Sequence, residues 1–333
     1  MQQSAILGTG SQAGGKRVLS TELDARLNKR AGWLEDTCGV TSRSMIAPGE
    51  TQESLGAMAA RSALDDAGLA PDDLDPILFA AAVGRQPIPA TAALIKRELG
   101  LDKSPVPAFD INATCLSAVA AMDVADMYIS TGRASRVLIV ASEIATRALP
   151  WQEDPATAGL FGDGAAAIVM GQSNASSSPL NTNRVLIETW AQGYDMCALA
   201  AGGTRYDYHE EPDAFDANSF FRMDGHALFK LTRTKLPRFI DRLLQLSGWQ
   251  QKDVDIVIPH QASPLALEHM IRKCGFAREK VVATVKETGN LIAASIPATL
   301  DFARRQGRIR KGDRILLIGT SAGVSLGGAT LQA

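Results

Sequence analysis

Short apolar runs separated by longer stretches of helical period organise this chain. Pro76–Val83 (PILFAAAV), Val137–Ala141 (VLIVA), Ala165–Met170, Ile256–Ile258 and Ile315–Ile318 are bounded by turn-forming residues and are predicted as buried strands. Between them, Ser54–Ala67, Leu116–Ile129, Ala227–Leu246 and Pro264–Lys273 carry apolar residues at three- and four-residue spacing, which predicts helices. Strands alternating with helices predict an α/β protein with a mostly parallel sheet and helices packed on its faces.

A long-period echo runs through the pattern. DDLDPILF, with Asp75 ahead of its strand, returns as KDVDIVIP with Asp255; IKRELG from Ile95 returns as IRKCG from Ile271; GRASRVLIV around Arg136 returns as GRIRKGDRILLIG around Arg314. The offsets are 180, 176 and 178 residues, in the same order along the chain. Three echoes at nearly one offset predict two halves of similar topology. Residues 1–175 form the first and 183–333 the second, with the boundary in the Ser-, Asn- and Pro-rich stretch Gln172–Asn183. Carried to the middle of the chain, the echo sets Cys115 opposite Asn290.

Composition narrows the field. With 333 residues, 46% of them apolar, 21% charged and a formal net charge of −2, the chain is an ordinary globular one with ample core. That charge gives no reason to expect nucleic acid or an anionic membrane as partner. No apolar run approaches the ~20 residues of a membrane span, and MQQSAILGTG lacks the features of a signal peptide. Cys38, Cys115, Cys197 and Cys274 lie far apart with no CxxC pair, so the expectation is a reduced, cytoplasmic protein with no metal site.

Three residues stand at strand-to-helix junctions, where α/β proteins gather their sites. Cys115 lies in DINATCLSAV, His260 in IVIPHQAS and Asn290 in ETGNLIAASIP. Singly they read as a small core thiol, a loop histidine and a helix cap. Together they supply a nucleophile, an imidazole and a neutral amide donor. A thiol at a helix start is expected to have a lowered pKa, because the positive end of the dipole favours thiolate.

With these residues in place the sequence resembles the ketoacyl synthase III family of the thiolase superfamily along nearly its whole length. The resemblance is carried by AILGTGS, AGWLEDTCGVTSR, AFDINATCLSAVAA, FGDGAAAIV, IPHQAS, ETGNLIAASIPATL and GTSAGVSLGGATL. It implies a thiolase-like fold of two duplicated halves in a five-layered αβαβα sandwich, and a homodimer. It also implies acyl transfer to Cys115 followed by decarboxylative Claisen condensation with a malonyl-type thioester, in fatty-acid or specialised, polyketide-like biosynthesis. Cys115, His260 and Asn290 map onto the family's catalytic set, and the backbone N–H groups of Cys115 and Gly323 onto its oxyanion hole. Substrates would arrive as acyl-CoA or acyl-carrier-protein thioesters, with no resident cofactor. The alternative is an acyltransferase that moves the acyl group from Cys115 to a hydroxyl or amine.

Trp33 remains where the family grips the nucleotide end of CoA, while Thr37 and the neighbourhood of Pro155 replace two arginines. Leu265 replaces a carrier-docking arginine, leaving Lys230, Arg272 and Lys273, and Ile88 replaces the aromatic residue that gates the partner's acyl pocket. Other motifs do not fit a function. GTGSQAGGKR resembles a nucleotide loop but no helix follows it directly, FGDG reads as a tight turn into a strand, and DYHEE (207–211) as a solvated loop.

Overall fold

The structure, a computed structural model, describes residues 3–175 and 178–333, so positions 176 and 177 of the boundary stretch lie outside the described residues. Nine strands form its main sheet: β1 (Ser4–Ala13), β2 (Ile77–Ala80), β3 (Ala108–Ile111), β4 (Arg136–Glu143), β5 (Gly164–Gln172), β6 (Leu180–Thr189), β7 (Ile256–Pro259), β8 (Arg314–Ser321) and β9 (Ser325–Gln332). Their order in space is β7-β8-β9-β6-β1-β5-β4-β2-β3. The sheet divides where Ala5 and Ile6 of β1 meet Asn181 and Leu180 of β6, the short pairing that joins the two half-sheets.

Only β2 with β3 and β4, and β7 with β8, pair in parallel; the other ladders are antiparallel. The mostly parallel sheet expected from the alternation is therefore a mixed one. Between β8 and β9 stand only Ala322, Gly323 and Val324, whereas a parallel crossover needs a dozen residues or more.

Side-chain alternation along the strands decides the layers. Ile77 and Phe79 of β2 pack with Leu55 and Leu64 of helix α1 (Gln52–Ala67) and Ile95 of α2 (Ala92–Glu98). Leu78 and Ala80, on the opposite face, pack with Val119 and Met122 of α3 (Ser117–Ser130). In the second half, Leu316 and Ile318 of β8 meet α4 (Lys235–Leu246) and α5 (Pro264–Cys274). Ile315 and Leu317 meet the middle layer, where α6 (Ser295–Arg305) adds Ile296 and Leu300. Five layers result, with α3 and α6 between the half-sheets. Strands covered on both faces read as continuous apolar runs, and each fully buried Leu or Ile contributes about 2 kcal/mol.

The duplication reaches the hydrogen bonds. Asp75 N–H donates to Arg136 O and Asp255 N–H to Arg314 O, both at 2.9 Å. The Asp75 carboxylate accepts Arg136 N–H at 3.1 Å, and that of Asp255 accepts Arg314 N–H at 2.9 Å.

Two local features differ from a plain periodic reading. The helix expected over 227–246 is two helices, Gly225–Thr232 and α4. Pro237 has no N–H for the carbonyl of Arg233 and its ring crowds that carbonyl, so the helix restarts with proline in its first turn. The GTGS glycines lie inside β1, crossed by α1. A Cβ on Gly8 would stand 2.3 Å from Ala63 O, and one on Gly10 2.4 Å from Ala59 O. These glycines permit close packing of helix on strand.

Candidate active site

Cys115 sits in a single turn, Thr114–Leu116, between β3 and α3. Asn112 Oδ1 accepts the Thr114 N–H at 2.9 Å, while its Nδ2 donates to Ala82 O at 2.9 Å. Ser117 Oγ donates to Thr114 O at 2.7 Å and accepts the Ala113 N–H at 2.9 Å, which closes the turn from its other end. The thiol is partly reachable but lies deep in the protein, and the Ala322 N–H, next to Gly323, interacts with it. Burial pushes its pKa up to about 12, assisted by the charges of Glu143 and Cys197 and opposed by the N–H groups of Cys115 and Ala322. The lowered pKa expected from a helix start is corrected: the turn places Cys115 ahead of α3, and desolvation outweighs the dipole.

His260 follows β7 and extends its pairing, donating its N–H to Ile318 O at 2.8 Å. Its side chain is buried with Nδ1 unpaired, and burial lowers its pKa to about 4, so the imidazole is neutral at neutral pH. Gln261 anchors the segment. Its N–H reaches Ser295 Oγ at 2.7 Å, its Nε2 reaches Pro259 O and Val282 O, and its Oε1 accepts from Thr284 and Val285. A Cβ on Gly319 would lie 3.0 Å from His260 Cβ and 3.1 Å from Leu116 Cδ2, so this glycine lets the imidazole and thiol segments approach each other.

Asn290 is buried after Gly289, whose φ of 68° is a left-handed conformation that suits glycine. Its Oδ1 accepts Ile292 N–H at 2.8 Å and its Nδ2 donates to Ala262 O at 3.3 Å, two residues beyond His260. One amide hydrogen remains for a ligand. The Asn290 main chain bonds Leu160 O and Gly162 N–H, which ties it to the FGDG turn. Asp163 of that turn accepts from Ile46 and Thr146, a structural role.

The two turns are copies of each other, and the echo needs a new register. Asn112 corresponds to Asn290 and Ser117 to Ser295, at an offset of 178 residues. Cys115 therefore stands opposite Ala293, not Asn290 as the sequence comparison expected. NATCLS and NLIAAS carried the true register in their Asn and Ser.

Two further residues at the site went unnoticed in the sequence. Ser321, ending β8, donates its Oγ to Ala113 O at 2.8 Å. Glu143, ending β4, is buried and accepts the Ala82 N–H at 2.6 Å, and its carboxyl also meets the N–H groups of Val83 and Ala293. Burial raises the Glu143 pKa to about 8 against these N–H groups. A lone Glu closing an apolar strand was the available signal.

Gly323 adopts φ 126° in the β8–β9 turn. Cys115, His260, Asn290 and Gly323 thus share one end of the half-sheets, and the substrate-binding candidates stand on other elements. Trp33 opens the short helix Trp33–Cys38, with Lys29 Nζ 5.0 Å above its ring. That helix ends at Gly39, where a Cβ would meet Pro264, the first residue of α5, at 3.1 Å. Lys230 is exposed on the helix Gly225–Thr232, and Arg272 and Lys273 are exposed on α5. Leu265 is 77% exposed, and Ile88, in the loop between β2 and α2, is 83% exposed.

In the acidic loop, Asp207 accepts the N–H groups of His209 and Glu210. Among the described residues no group of three or more His, Cys, Asp and Glu side chains could hold a metal ion, and no helix is long and apolar enough to cross a membrane. All four cysteines are free thiols.

Frame and site define an acyl-transferring enzyme of the condensing kind on the thiolase fold. Two family models match, 3-oxoacyl-[acyl-carrier-protein] synthase III over residues 109–184 and its C-terminal part over 244–333. The chain belongs to that synthase III family, as its motifs implied. It is 34% identical over 332 residues to a β-ketoacyl-[acyl-carrier-protein] synthase III of Methylococcus capsulatus, covering 99% of this chain and 98% of the relative. The counterpart in Coxiella burnetii is 33% identical over the full length of both chains. The solved synthase III of Aquifex aeolicus superposes with a TM-score of 0.87 at 28% identity, covering 99% of this chain and 100% of that one. OleA of Xanthomonas campestris shares the fold, with a TM-score of 0.86 at 22% identity over 100% of this chain and 99% of that one.

Proposed function

We propose that this protein is a β-ketoacyl synthase that works in two half-reactions on thioesters, an acyltransferase of class EC 2.3.1. The observation that carries this reading is the Cys115 thiol beside the Ala322 N–H, in the same strand-end cluster as a neutral His260 and an Asn290 amide with a hydrogen to spare. In the first step the Cys115 sulfur attacks an acyl thioester, its proton leaves with the departing thiol, and an acyl-enzyme forms. The N–H groups of Cys115, in the turn Thr114–Leu116, and of Gly323, in the β8–β9 turn, would donate to the tetrahedral oxyanion. In the second step a malonyl-type thioester loses CO2. The resulting enolate attacks the acyl carbonyl, and Cys115 is released and reprotonated. His260 and the Asn290 amide donate to the enolate oxygen, and both are neutral, so neither competes with the enolate as a charged group. Side chains and backbone suffice for both steps, without a resident cofactor.

Delivery follows from the rim. Lys29 covers Trp33, and Thr37, where the family carries an arginine, turns its hydroxyl back to Trp33 O at 2.7 Å. Exposed Lys230, Arg272 and Lys273 suit an acidic carrier protein. A homodimer fits the sheet: β3 is its edge, with backbone groups free for a second copy, and the exposed Ile88 lies in the loop just before α2.

Intact-mass spectrometry with an acyl-CoA and acyl-carrier-protein panel tests the reading. One acyl adduct on Cys115 is expected, absent in Cys115→Ala and discharged by a malonyl thioester as a β-ketoacyl product. Discharge only to a hydroxyl or amine, without CO2 release, would establish the simple acyltransferase instead.

A further inference from the structure

Glu143 and Ser321 end corresponding strands of the two halves, at the same 178-residue offset that relates Asn112 to Asn290. Each reaches across to the functional turn of the opposite half. Ser321, in the second half, holds Ala113 O of the Cys115 turn at 2.8 Å. Glu143, in the first half, meets the N–H of Ala293 in the turn that follows Asn290, and anchors itself on Ala82 at 2.6 Å and on Val83.

We propose that these residues form a crossed clamp of positioning residues, Glu143 setting the Asn290 turn for condensation and Ser321 setting the Cys115 turn for acylation. The assignment of steps rests on the two-half-reaction reading above.

The physical case starts from reach. Asn290 Oδ1 fixes the turn locally through Ile292 N–H, but nothing in that bond sets the turn against the thiol across the middle layer. The Glu143 carboxyl does, because it lies against N–H groups of both halves at once, Ala82 in the first and Ala293 in the second. It is 2% exposed, so water cannot substitute when the bond is lost. An amide in place of the carboxyl presents on one arm an NH2 that cannot accept, whereas either carboxyl oxygen can, so the bridge opens while the shape is conserved. Ser321 is 3% exposed and its hydroxyl also touches Ala322 O, so it ties the Cys115 turn to the same strap that places the Ala322 N–H against the sulfur. Displacements of an ångström in such a constellation cost about 100-fold in rate.

The test is a crossed comparison of Glu143→Gln and Ser321→Ala, with two kinds of readout. In single-turnover assays at pH 7, where Glu143 is neutral and glutamine leaves the charge beside the thiol unchanged, Glu143→Gln should load acyl groups within about threefold of wild type yet condense roughly 10- to 100-fold more slowly, with the malonyl KM nearly unchanged. Ser321→Ala should show the reverse, slower loading and normal condensation from pre-acylated enzyme. Hydrogen exchange gives a readout independent of catalysis. Peptides spanning 291–296 should exchange faster in Glu143→Gln and those spanning 112–117 faster in Ser321→Ala, each without change in the other. If Glu143→Gln fails to fold, Glu143→Asp keeps the carboxyl and shortens the reach, and the same exchange pattern is expected. Equal slowing of both steps by both variants, or exchange rising uniformly, would overturn the clamp. Absence of any acyl group on wild-type Cys115 would refute the functional reading instead, and the exchange pattern would still decide the clamp.

Discussion

Thr114 and Ile292 both hold left-handed backbone, with φ of 54° and 51°, at equivalent points of the two functional turns. Both are β-branched, and such a conformation costs of order 1–3 kcal/mol each. In each turn an asparagine oxygen accepts the N–H of the strained residue, from Asn112 and from Asn290. The strained turn, made twice, is what brings the thiol and the amide to the same end of the fold.

Relief of that strain should stabilise the protein. Asparagine tolerates left-handed backbone, so Thr114→Asn is expected to raise the urea midpoint by an amount equivalent to about 1 kcal/mol. Acyl loading should change little, since the turn keeps its shape. A lower midpoint would show that Thr114 is not strained.

The free Cys115 thiol should be sluggish toward iodoacetamide near neutral pH, with its rate rising toward pH 12, because burial and the Glu143 charge disfavour thiolate. Glu143 is ionised above about pH 8, and Cys197, itself pushed up to about 11 by burial with Asp224 contributing, is the other ionisable neighbour of the thiol. Removing one negative neighbour lowers a thiol pKa, so Glu143→Gln should move the alkylation profile to lower pH. A profile centred near 8 in the wild-type protein would contradict the buried thiol.

His260 gives the opposite sign on the acid side. Its pKa falls from 6.5 to about 4 on folding, so its contribution to stability is complete above pH 6.5 and is lost as pH falls toward 4. Condensation should show no inflection at 6.5 assignable to this residue, and His260→Gln should flatten the stability decline between pH 6.5 and 4. Chemical unfolding across that range measures it, and an unchanged decline would refute the buried neutral imidazole.

Asn290→Ala should accumulate acyl-enzyme and lose condensation by roughly 100-fold, the scale for removing one oxyanion donor. Loss of acyl loading with normal malonyl decarboxylation would reverse the roles given to the two turns.

A dimer built on the β3 edge should appear in sedimentation velocity at micromolar concentration. Where Ile88 of one copy enters the acyl chamber of the other, Ile88→Phe narrows the chamber and shifts preference toward shorter acyl donors. A monomer, or an unchanged chain-length profile, would remove Ile88 from the site.

Much of the fold was present in the pattern of the chain. Buried strands declare themselves by apolar runs, and the duplication by echoes that became shared hydrogen bonds at Asp75 and Asp255. Periodicity could not show that most ladders are antiparallel, because a strand buried on both faces has the same composition whichever way its neighbour runs. The split at Pro237 was readable, since proline acts locally.

By itself the sequence determined the doubled α/β architecture and three reactive side chains at strand ends, because residue type and short-range spacing carry that information, while its motifs implied the family and, through it, the five-layered frame. Tertiary structure alone decided what those groups feel. Desolvation of Cys115 and His260 sums over residues distant in the chain, which is why a thiol expected to be acidic is held near 12. The same distance hid the roles of Glu143 and Ser321, whose partners Ala293 and Ala113 lie in the opposite half.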